Sequence, residues 1–198
     1  MKKMMMIAVM LVATLTASAQ QDPGTWSIIP KVGFNLANVT DSEDADMKFG
    51  LVAGAEARYQ VIEPLALTFG LLYSMQGCKF DGNISGISYD STSSLDYINI
   101  PILANYYVIP GLAIKAGIQP AINVKHKNKI EYTGHTEEGN IENFNTIDLA
   151  IPLGLSYEFG DFIVDARYNL GLTKLVDSKE SSSKNSVFQF TFGYKIPF

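Results

Sequence analysis

The last eleven residues of the chain alternate between large apolar side chains and small or polar ones. From 188 to 198 every even position is aromatic or aliphatic, and every odd position is polar, glycine or proline. Successive side chains of a β-strand point to opposite faces, so this segment has one continuous apolar face. A period of two residues is typical of a strand and does not fit an amphipathic helix.

The same alternation occurs seven more times upstream. The eight segments lie at about residues 32–36, 49–59, 65–73, 98–106, 112–123, 147–159, 162–173 and 188–198. Most are near ten residues long, which is the length that a tilted transmembrane strand requires. The pattern therefore predicts an all-β chain with eight strands of about ten residues or more.

The connections between these segments alternate in length. Short ones follow the second, fourth and sixth segments, at 61–64, 108–111 and 160–161. Long polar ones follow the first, third, fifth and seventh, at about 38–47, 77–92, 125–143 and 176–184. Tight turns at one end and long loops at the other are typical of outer-membrane barrels, whose turns are periplasmic. The expected fold is an eight-stranded antiparallel up-and-down transmembrane β-barrel over residues 20–198.

A soluble lipocalin-like barrel that binds an apolar ligand would alternate in the same way, with its apolar face inside. The composition of the polar positions favours the membrane barrel. They are rich in glycine, with isolated charges between, which suits the narrow interior of eight strands. The apolar positions carry tyrosines near the strand ends, as expected at the two membrane interfaces. We therefore expect the apolar faces to contact lipid.

This assignment sends nine charged side chains into the interior of the barrel. They are Lys31, Glu56, Arg58, Lys115, Asp148, Glu158, Asp165, Arg167 and Lys195. Five cations and four anions in a narrow interior are expected to pair, because an unpaired charge away from water is costly. The sequence thus predicts a lumen charge network that plugs the barrel, with a narrow channel for small solutes as the alternative.

The N-terminus has the pattern of a secretory signal peptide. Lys2 and Lys3 precede an apolar run of about a dozen residues, and small residues at 17–19 suit cleavage before Gln20. The run is shorter than the roughly 20 residues of a membrane span. Removing residues 1–19 moves the net charge from −5 to −7. We expect an acidic, exported outer-membrane protein that binds no nucleic acid.

The prolines and the single cysteine add two further expectations. Pro30, Pro101, Pro120, Pro152 and Pro197 lie in predicted strands, where each removes a hydrogen-bond donor, so bulges or rim positions are expected at some of them. Cys78 is the single cysteine, so no internal disulfide can form.

From about residue 26 onward the chain resembles the small outer-membrane β-barrel (PorT-like) family of Bacteroides-type bacteria. The resemblance rests on the sequences at 17–20, 97–103 and 165–172 and on the terminal phenylalanine. It implies an assembly signal that the outer-membrane assembly machinery reads in the last strand. The residues concerned are Phe188, Phe190, Phe192, Tyr194 and Phe198. Some family members belong to a secretion apparatus, and nothing in this sequence selects that branch.

No pattern of catalytic or metal-binding residues is present. The four acids of 41–46 lack calcium-loop spacing, and His126 and His135 with Glu131, Glu137 and Glu138 fit no recognised zinc site. Ser88 and Ser91 have no nucleophile motif, which makes a lipid-modifying enzyme the least favoured reading. We expect no enzyme and no cofactor. The expected partners are lipid, lipopolysaccharide and an envelope protein bound through the long loops.

Overall fold

The computed structural model describes residues 22–40, 45–84, 87–132, 135–141, 144–176 and 183–198. The predicted signal peptide and most of the acidic loop lie outside the described residues. The strands are β1 (Trp26–Val39), β2 (Ala45–Ile62), β3 (Leu65–Ile84), β4 (Ile87–Asn99), β5 (Ile102–Ile109), β6 (Leu112–Tyr132), β7 (His135–Asn140), β8 (Ile147–Phe159), β9 (Phe162–Gly171), β10 (Asn185–Tyr194) and β11 (Ile196–Pro197). No described segment is a helix long and apolar enough to cross a membrane.

These strands form one closed antiparallel ring of eight. β4 and β5 together make one wall strand, since both pair with β3 and β6, and β10 and β11 together make the last one. β7 pairs only with β6 and extends the wall at the loop end. The ring closes where β1 pairs with β10 from Lys31 opposite Gly193 to Val39 opposite Asn185. The predicted eight-stranded up-and-down barrel is confirmed.

The apolar side chains point away from the barrel and the polar ones point into it. Phe49, Leu71 and Ile147 are 60%, 61% and 70% exposed, whereas Glu56 and Asp165 are fully buried. On β6 the outward apolar residues run from Ile114 to Val124, which spans about 25 Å along the membrane normal at a strand tilt of about 40°. That height matches the apolar band of outer-membrane barrels. A lipocalin-like barrel requires the opposite arrangement, so that alternative is wrong.

The three tight turns are where the sequence predicts them. They lie at residues 63–64, 110–111 and 160–161, and all three are at the same end of the barrel as residues 22–26 and the C-terminus. Gly111 and Gly160 have φ values of +83° and +61°, in the left-handed region that glycine enters without strain. These residue types make the two-residue connections possible.

Three of the four predicted long loops are wrong in extent. Residues 77–84 continue β3 and pair with 87–94 of β4, and residues 125–132 continue β6 and pair with both β4 and β7. The region is therefore a sheet of β3, β4, β6 and β7 that continues the wall beyond the lipid-facing band, at the end away from the tight turns. We call it the extracellular sheet, after the orientation that the sequence predicts. The loop between β1 and β2 is short, because β1 ends at Val39 and β2 begins at Ala45.

The prolines are accommodated in three ways. Pro101 lies in the interruption between β4 and β5, and its carbonyl accepts a hydrogen bond from the Gly70 amide at 2.9 Å. Pro197 lies at the rim. Pro30 and Pro152 instead pair in unbroken register, opposite Ala55 and Asn169. The register shifts occur elsewhere, at Met47/Val52, Gln60/Ile62, Asp96/Tyr97 and Tyr107/Ile109.

Gly117 shows why the inward positions carry glycine. A Cβ atom at this position would lie 2.0 Å from the carbonyl oxygen of Ile102 on the neighbouring strand. The same atom at Gly54 would lie 2.1 Å from the carbonyl oxygen of Leu71. Inward glycines thus permit a close backbone approach between strands that a side chain would prevent.

Candidate functional site: the charged interior of the barrel

All nine charged residues predicted for the lumen lie on the inner face of the wall. Their exposed fractions run from 0% for Glu56 and Asp165 to 7% for Asp148. They come from β1, β2, β6, β8 and β9 and from Lys195 between β10 and β11. Strand alternation alone brings them together, since each occupies a polar position between two lipid-facing residues.

The central cluster joins two carboxylates to three cations. Glu56 Oε2 lies 2.7 Å from Lys31 Nζ, and Glu56 Oε1 lies 2.9 Å from Arg167 Nη2. Asp165 accepts from Arg167 Nε at 2.8 Å and from Arg167 Nη2 at 2.9 Å, a two-pronged contact of the kind that fixes a guanidinium in place. Lys115 bonds Asp165, and Lys31 lies 3.3 Å from it. Five of the nine predicted residues therefore form one connected unit.

A second cluster lies nearer the periplasmic turns. Glu158 Oε1 lies 2.5 Å from Arg58 Nη1 and accepts a hydrogen bond from the Tyr107 hydroxyl at 2.6 Å. Glu158 Oε2 accepts from Lys195 Nζ at 3.2 Å. Arg58 also donates to the Tyr107 oxygen at 2.9 Å, so the three side chains close a triangle. One carboxylate thus serves two buried cations and one phenol.

Asp148 belongs to neither cluster. Its Oδ2 atom accepts from Asn185 Nδ2 at 2.7 Å, and its Oδ1 atom accepts from the Leu149 amide at 2.8 Å. Asn185 also donates to the Tyr97 hydroxyl at 3.0 Å. This polar layer lies on the extracellular side of the central cluster, at the level where β10 begins. The expectation that all nine charges pair with one another is therefore wrong for Asp148, whose partners are the Asn185 amide, the Thr173 hydroxyl and the backbone.

An apolar cluster covers the polar layer at the extracellular end. Its buried members are Val39, Cys78, Leu95, Tyr97, Ala121 and Leu175, and Phe80, Ile141, Phe144 and Val176 pack against them. Leu175, Phe144 and Val176 come from irregular segments rather than from wall strands. Backbone hydrogen bonds hold these segments together, from the Asn145 amide to Leu175 O and from the Leu175 amide to Ser183 O, both at 2.9 Å. We call this set of residues the apolar cap.

The two clusters contain more positive than negative charge. Lys31, Lys115 and Arg167 exceed the two central carboxylates by one, and Arg58 and Lys195 exceed Glu158 by one. Within the described residues, Arg58 Nε and Arg167 Nη1 are buried without a hydrogen-bond partner. The interior is thus electropositive, and some of its donors are not satisfied by other described groups.

Sequence reasoning missed several residues of this interior. Tyr107 and Tyr97 occupy inward positions, where the other large apolar side chains are aliphatic, such as those of Ile29, Leu72 and Ile163. An aromatic side chain that carries a hydroxyl in this phase is the signal that could have identified them. Lys48 was also missed because it lies just outside the predicted limits of its strand; its Nζ donates to Gln76 O at 2.8 Å.

The other candidate residues do not assemble into a site. The His126 ring stacks on Phe144 at 5.4 Å and contacts Asn123 Oδ1 at 2.9 Å. Ser91 donates to Asn128 Oδ1 at 3.0 Å. Within the described ranges, no three His, Cys, Asp or Glu side chains are grouped closely enough to hold a metal ion.

The aromatic stripe of the last strand lies on the outer surface. Phe190 stacks on Phe34 of β1 at 5.2 Å between ring centroids, and Phe192 stacks on Phe162 of β9 at 5.5 Å. Phe198 is 74% exposed at the periplasmic rim. The stripe thus joins the last strand to both of its neighbours on the lipid side.

Comparison with known proteins agrees with this architecture. The Yersinia pestis attachment invasion locus protein Ail, in complex with the heparin analogue sucrose octasulfate, shares 16% identity at a TM-score of 0.51; the match covers 87% of this chain and 99% of that one. OprG from Pseudomonas aeruginosa shares 13% identity at a TM-score of 0.43, covering 91% and 99%. No curated protein sequence matches the chain. The outer membrane protein beta-barrel domain matches residues 18–177. This chain therefore belongs to the outer membrane protein beta-barrel domain family and is an outer-membrane protein.

Proposed function

We propose that this protein is a closed barrel with a structural, surface-binding or envelope-complex role, and that its interior does not conduct solutes. The observation that carries the proposal is the pairing of the buried lumen charges. Each of Glu56, Asp165 and Glu158 contacts at least two cations. A passing ion would have to break several of these contacts in a region of low dielectric, where an unpaired charge is strongly disfavoured.

The apolar cap supports the same conclusion. A solute that enters from outside would first have to displace Leu175, which is only 7% exposed, and Leu95, which is 1% exposed. Hydrophobic constrictions oppose the passage of water and ions. The barrel then serves as a rigid base for the extracellular sheet of β3, β4, β6 and β7. This sheet is the surface that a partner would bind.

A narrow channel is the second candidate, and the charge imbalance favours it. The two clusters together hold five cations against three carboxylates, and Arg167 Nη1 and Arg58 Nε are without partners among the described residues. A pathway lined in this way would select anions, since rings of basic side chains attract anions into a pore. The selectivity of any current therefore distinguishes this pathway from leakage around the protein.

The test is conductance in planar lipid bilayers. The protein is inserted from detergent after its folded state is checked by the mobility shift between unheated and heated samples on a gel. We expect no resolved single-channel steps. Current steps whose reversal potential in a salt gradient indicates anion selectivity would contradict the closed barrel and support the channel. An open bacterial porin, added to the same bilayer, is the positive control.

We further propose that residues 1–19 are cleaved on export, that the terminal stripe from Phe188 to Phe198 is read by the assembly machinery, and that the chain is of the PorT-like type. The charged start, apolar run and small residues at 17–19 support cleavage. The intact mass of the protein from outer membranes is expected to correspond to a chain that begins at Gln20. A mass that includes residues 1–19 would contradict cleavage.

A further inference from the structure

The extracellular part of β6 carries a row of lysines on its outer face. Lys125, Lys127 and Lys129 pair with Asp96, Ser94 and Thr92 of β4. These three β4 residues alternate in step with Ile98 and share its face, and Asp96 Oδ2 accepts a hydrogen bond from the hydroxyl of Tyr73, an outward residue that is 46% exposed. The lysines opposite them therefore point away from the barrel axis. Alternate residues are spaced by roughly 7 Å along a strand, so the row extends over roughly 14 Å.

The row begins where the lipid-facing surface ends. Ile122 and Val124 are 46% and 49% exposed and are the last outward apolar residues of β6. A register shift between Asp96 and Tyr97 marks the same level on β4, and Lys125 follows it directly. The lysines therefore lie at the height of the outer-leaflet headgroups, and they face sideways toward the lipid.

The distribution of positive charge singles out this face. Twelve lysines and arginines lie in the described part of the chain, and six of them are buried in the interior: Lys31, Lys48, Arg58, Lys115, Arg167 and Lys195. Of the six others, four lie on this one face, where Lys79 of β3 joins the three lysines of β6. The two remaining are Lys174 and Lys184. We call Lys79, Lys125, Lys127 and Lys129 the basic face.

A pocket of about 480 Å³ lies within this face, lined by Lys79, Asp90, Thr92, Lys129 and Glu131. Its carboxylates compete for the lysines. Lys129 pairs with Glu131, and that hydrogen bond raises the pKa of Lys129; Glu138 of β7 lies opposite it. Lys125 lies 3.7 Å from Asp96. Lys129 and Glu131 are both more than two-fifths exposed, and exposed pairs contribute little, so a multivalent phosphate can displace Glu131 from Lys129. The Asp96 side chain is 2% exposed and also accepts a hydrogen bond from the Tyr73 hydroxyl at 2.7 Å, so Asp96 keeps a partner when the exposed Lys125 contacts a phosphate.

Lys79 and Lys127 differ from the other two. In the described part of the chain, no carboxylate is within ion-pair distance of either. Both are exposed. Asp46 of β2 lies opposite Lys79, and Asp90 shares its pocket, so Lys79 has acidic neighbours that do not pair with it. Lys127 lies between Ser94 and Asn140, so no acid is directly opposite it on either neighbouring strand.

We propose that the basic face binds the phosphate groups of lipopolysaccharide in the outer leaflet. Its acyl chains would lie along the apolar stripe that ends at Ile122, and its phosphorylated sugars would contact the lysines and enter the pocket. The sideways direction of the face, at the headgroup level, favours a lipid over a polyanion that approaches from outside. The inference deepens the proposed surface-binding role and rests on the same membrane orientation.

The experiment compares the wild type with the triple variant Lys125→Gln, Lys127→Gln, Lys129→Gln and with the control Lys174→Gln. Each folded protein is placed in nanodiscs of zwitterionic phospholipid and titrated with purified lipopolysaccharide, with enzymatically dephosphorylated lipopolysaccharide, and with a heparin fragment. A lysine near an anionic lipid surface contributes about fivefold in affinity, so the triple variant is expected to lose roughly a hundredfold. Lys174→Gln is expected to bind like the wild type.

Three outcomes would overturn the assignment. They are equal binding by the triple variant, equal binding of dephosphorylated lipopolysaccharide, and binding of heparin with none of lipopolysaccharide. The heat-shift assay on each variant separates these outcomes from a folding defect. The planar-bilayer measurement tests the closed lumen independently, so failure of either proposal leaves the other testable.

Discussion

Glu158→Gln tests whether the lumen charges act as a dry, paired network. The substitution keeps the size of the side chain and removes the one carboxylate that serves both Arg58 at 2.5 Å and Lys195 at 3.2 Å. It also replaces a charged acceptor of the Tyr107 hydroxyl. Breaking a buried ion pair from one side costs about 3–5 kcal/mol because the partner charge stays buried. Here Arg58 and Lys195 both lose the carboxylate that neutralises them, so we expect a cost of about 4 kcal/mol.

Urea unfolding in detergent micelles measures this cost. Trp26 is the single tryptophan of the chain and lies at the periplasmic rim, where its ring packs 4.9 Å from that of Tyr59. Its fluorescence therefore reports the loss of the barrel. With a slope near 2 kcal/mol per molar urea, the midpoint is expected to fall by about 2 M.

The control is Glu131→Gln, which removes the exposed partner of Lys129. Both side chains of that pair are more than two-fifths exposed, so the expected change is below about 1 kcal/mol. In the Glu158→Gln background, Lys195→Met is expected to restore part of the loss, since it removes one of the two buried cations that the Glu158 carboxylate neutralised. A Glu158→Gln midpoint that matches the control would refute the reasoning and would indicate a hydrated interior in which the charges are screened.

Two further predictions concern packing. Gly117→Ala is expected to lower the free energy of unfolding by about 1–3 kcal/mol, because its Cβ atom would lie 2.0 Å from the carbonyl oxygen of Ile102. In Gly139→Ala the Cβ atom meets nothing within 4 Å, so this variant should be neutral. The temperature of the gel-shift transition compares the two variants, and equal values would contradict the close-approach argument. Leu175→Ala is expected to lower the free energy of unfolding by about 2–5 kcal/mol and to open the apolar cap. Cys78, which is 3% exposed in the wild type, should then react faster with a maleimide added from outside. An unchanged labelling rate would exclude the cap as a barrier.

The strands within the membrane could be predicted because lipid and lumen impose opposite demands on alternate residues. On β6 the outward side chains from Ile114 to Val124 are apolar, because this part of the strand faces lipid. The pattern can be recognised without knowing which strands pair with β6. Above the membrane both faces of the wall contact water. Residues such as Ser91 and Thr92 then alternate without a contrast in polarity, so the sequence predicts loops where β3, β4 and β6 continue.

The sequence predicts which charged residues line the interior but not which of them pair with one another. Alternation sends Asp148 and Asp165 inward equally, and only the register decides that Asp165 meets three cations while Asp148 meets Asn185. The apolar cap was not predicted at all. Leu175 and Phe144 come from segments of irregular backbone, where neither a period of two nor one of 3.6 exists to identify an inward side chain.

The closure of the ring has a consequence for biogenesis. β1 pairs with β10, and the pair begins with Lys31 opposite Gly193, two residues that are separated by most of the chain length. β1 therefore gains its second neighbouring strand only after β10 has been synthesised. Until it docks, β1 and β9 each present a row of unpaired backbone groups, and such open edges promote association with other chains. Non-local pairing of this kind also forms slowly. A chain that terminates before residue 185 would remain open-edged, which makes it a substrate for envelope proteases rather than a smaller functional barrel.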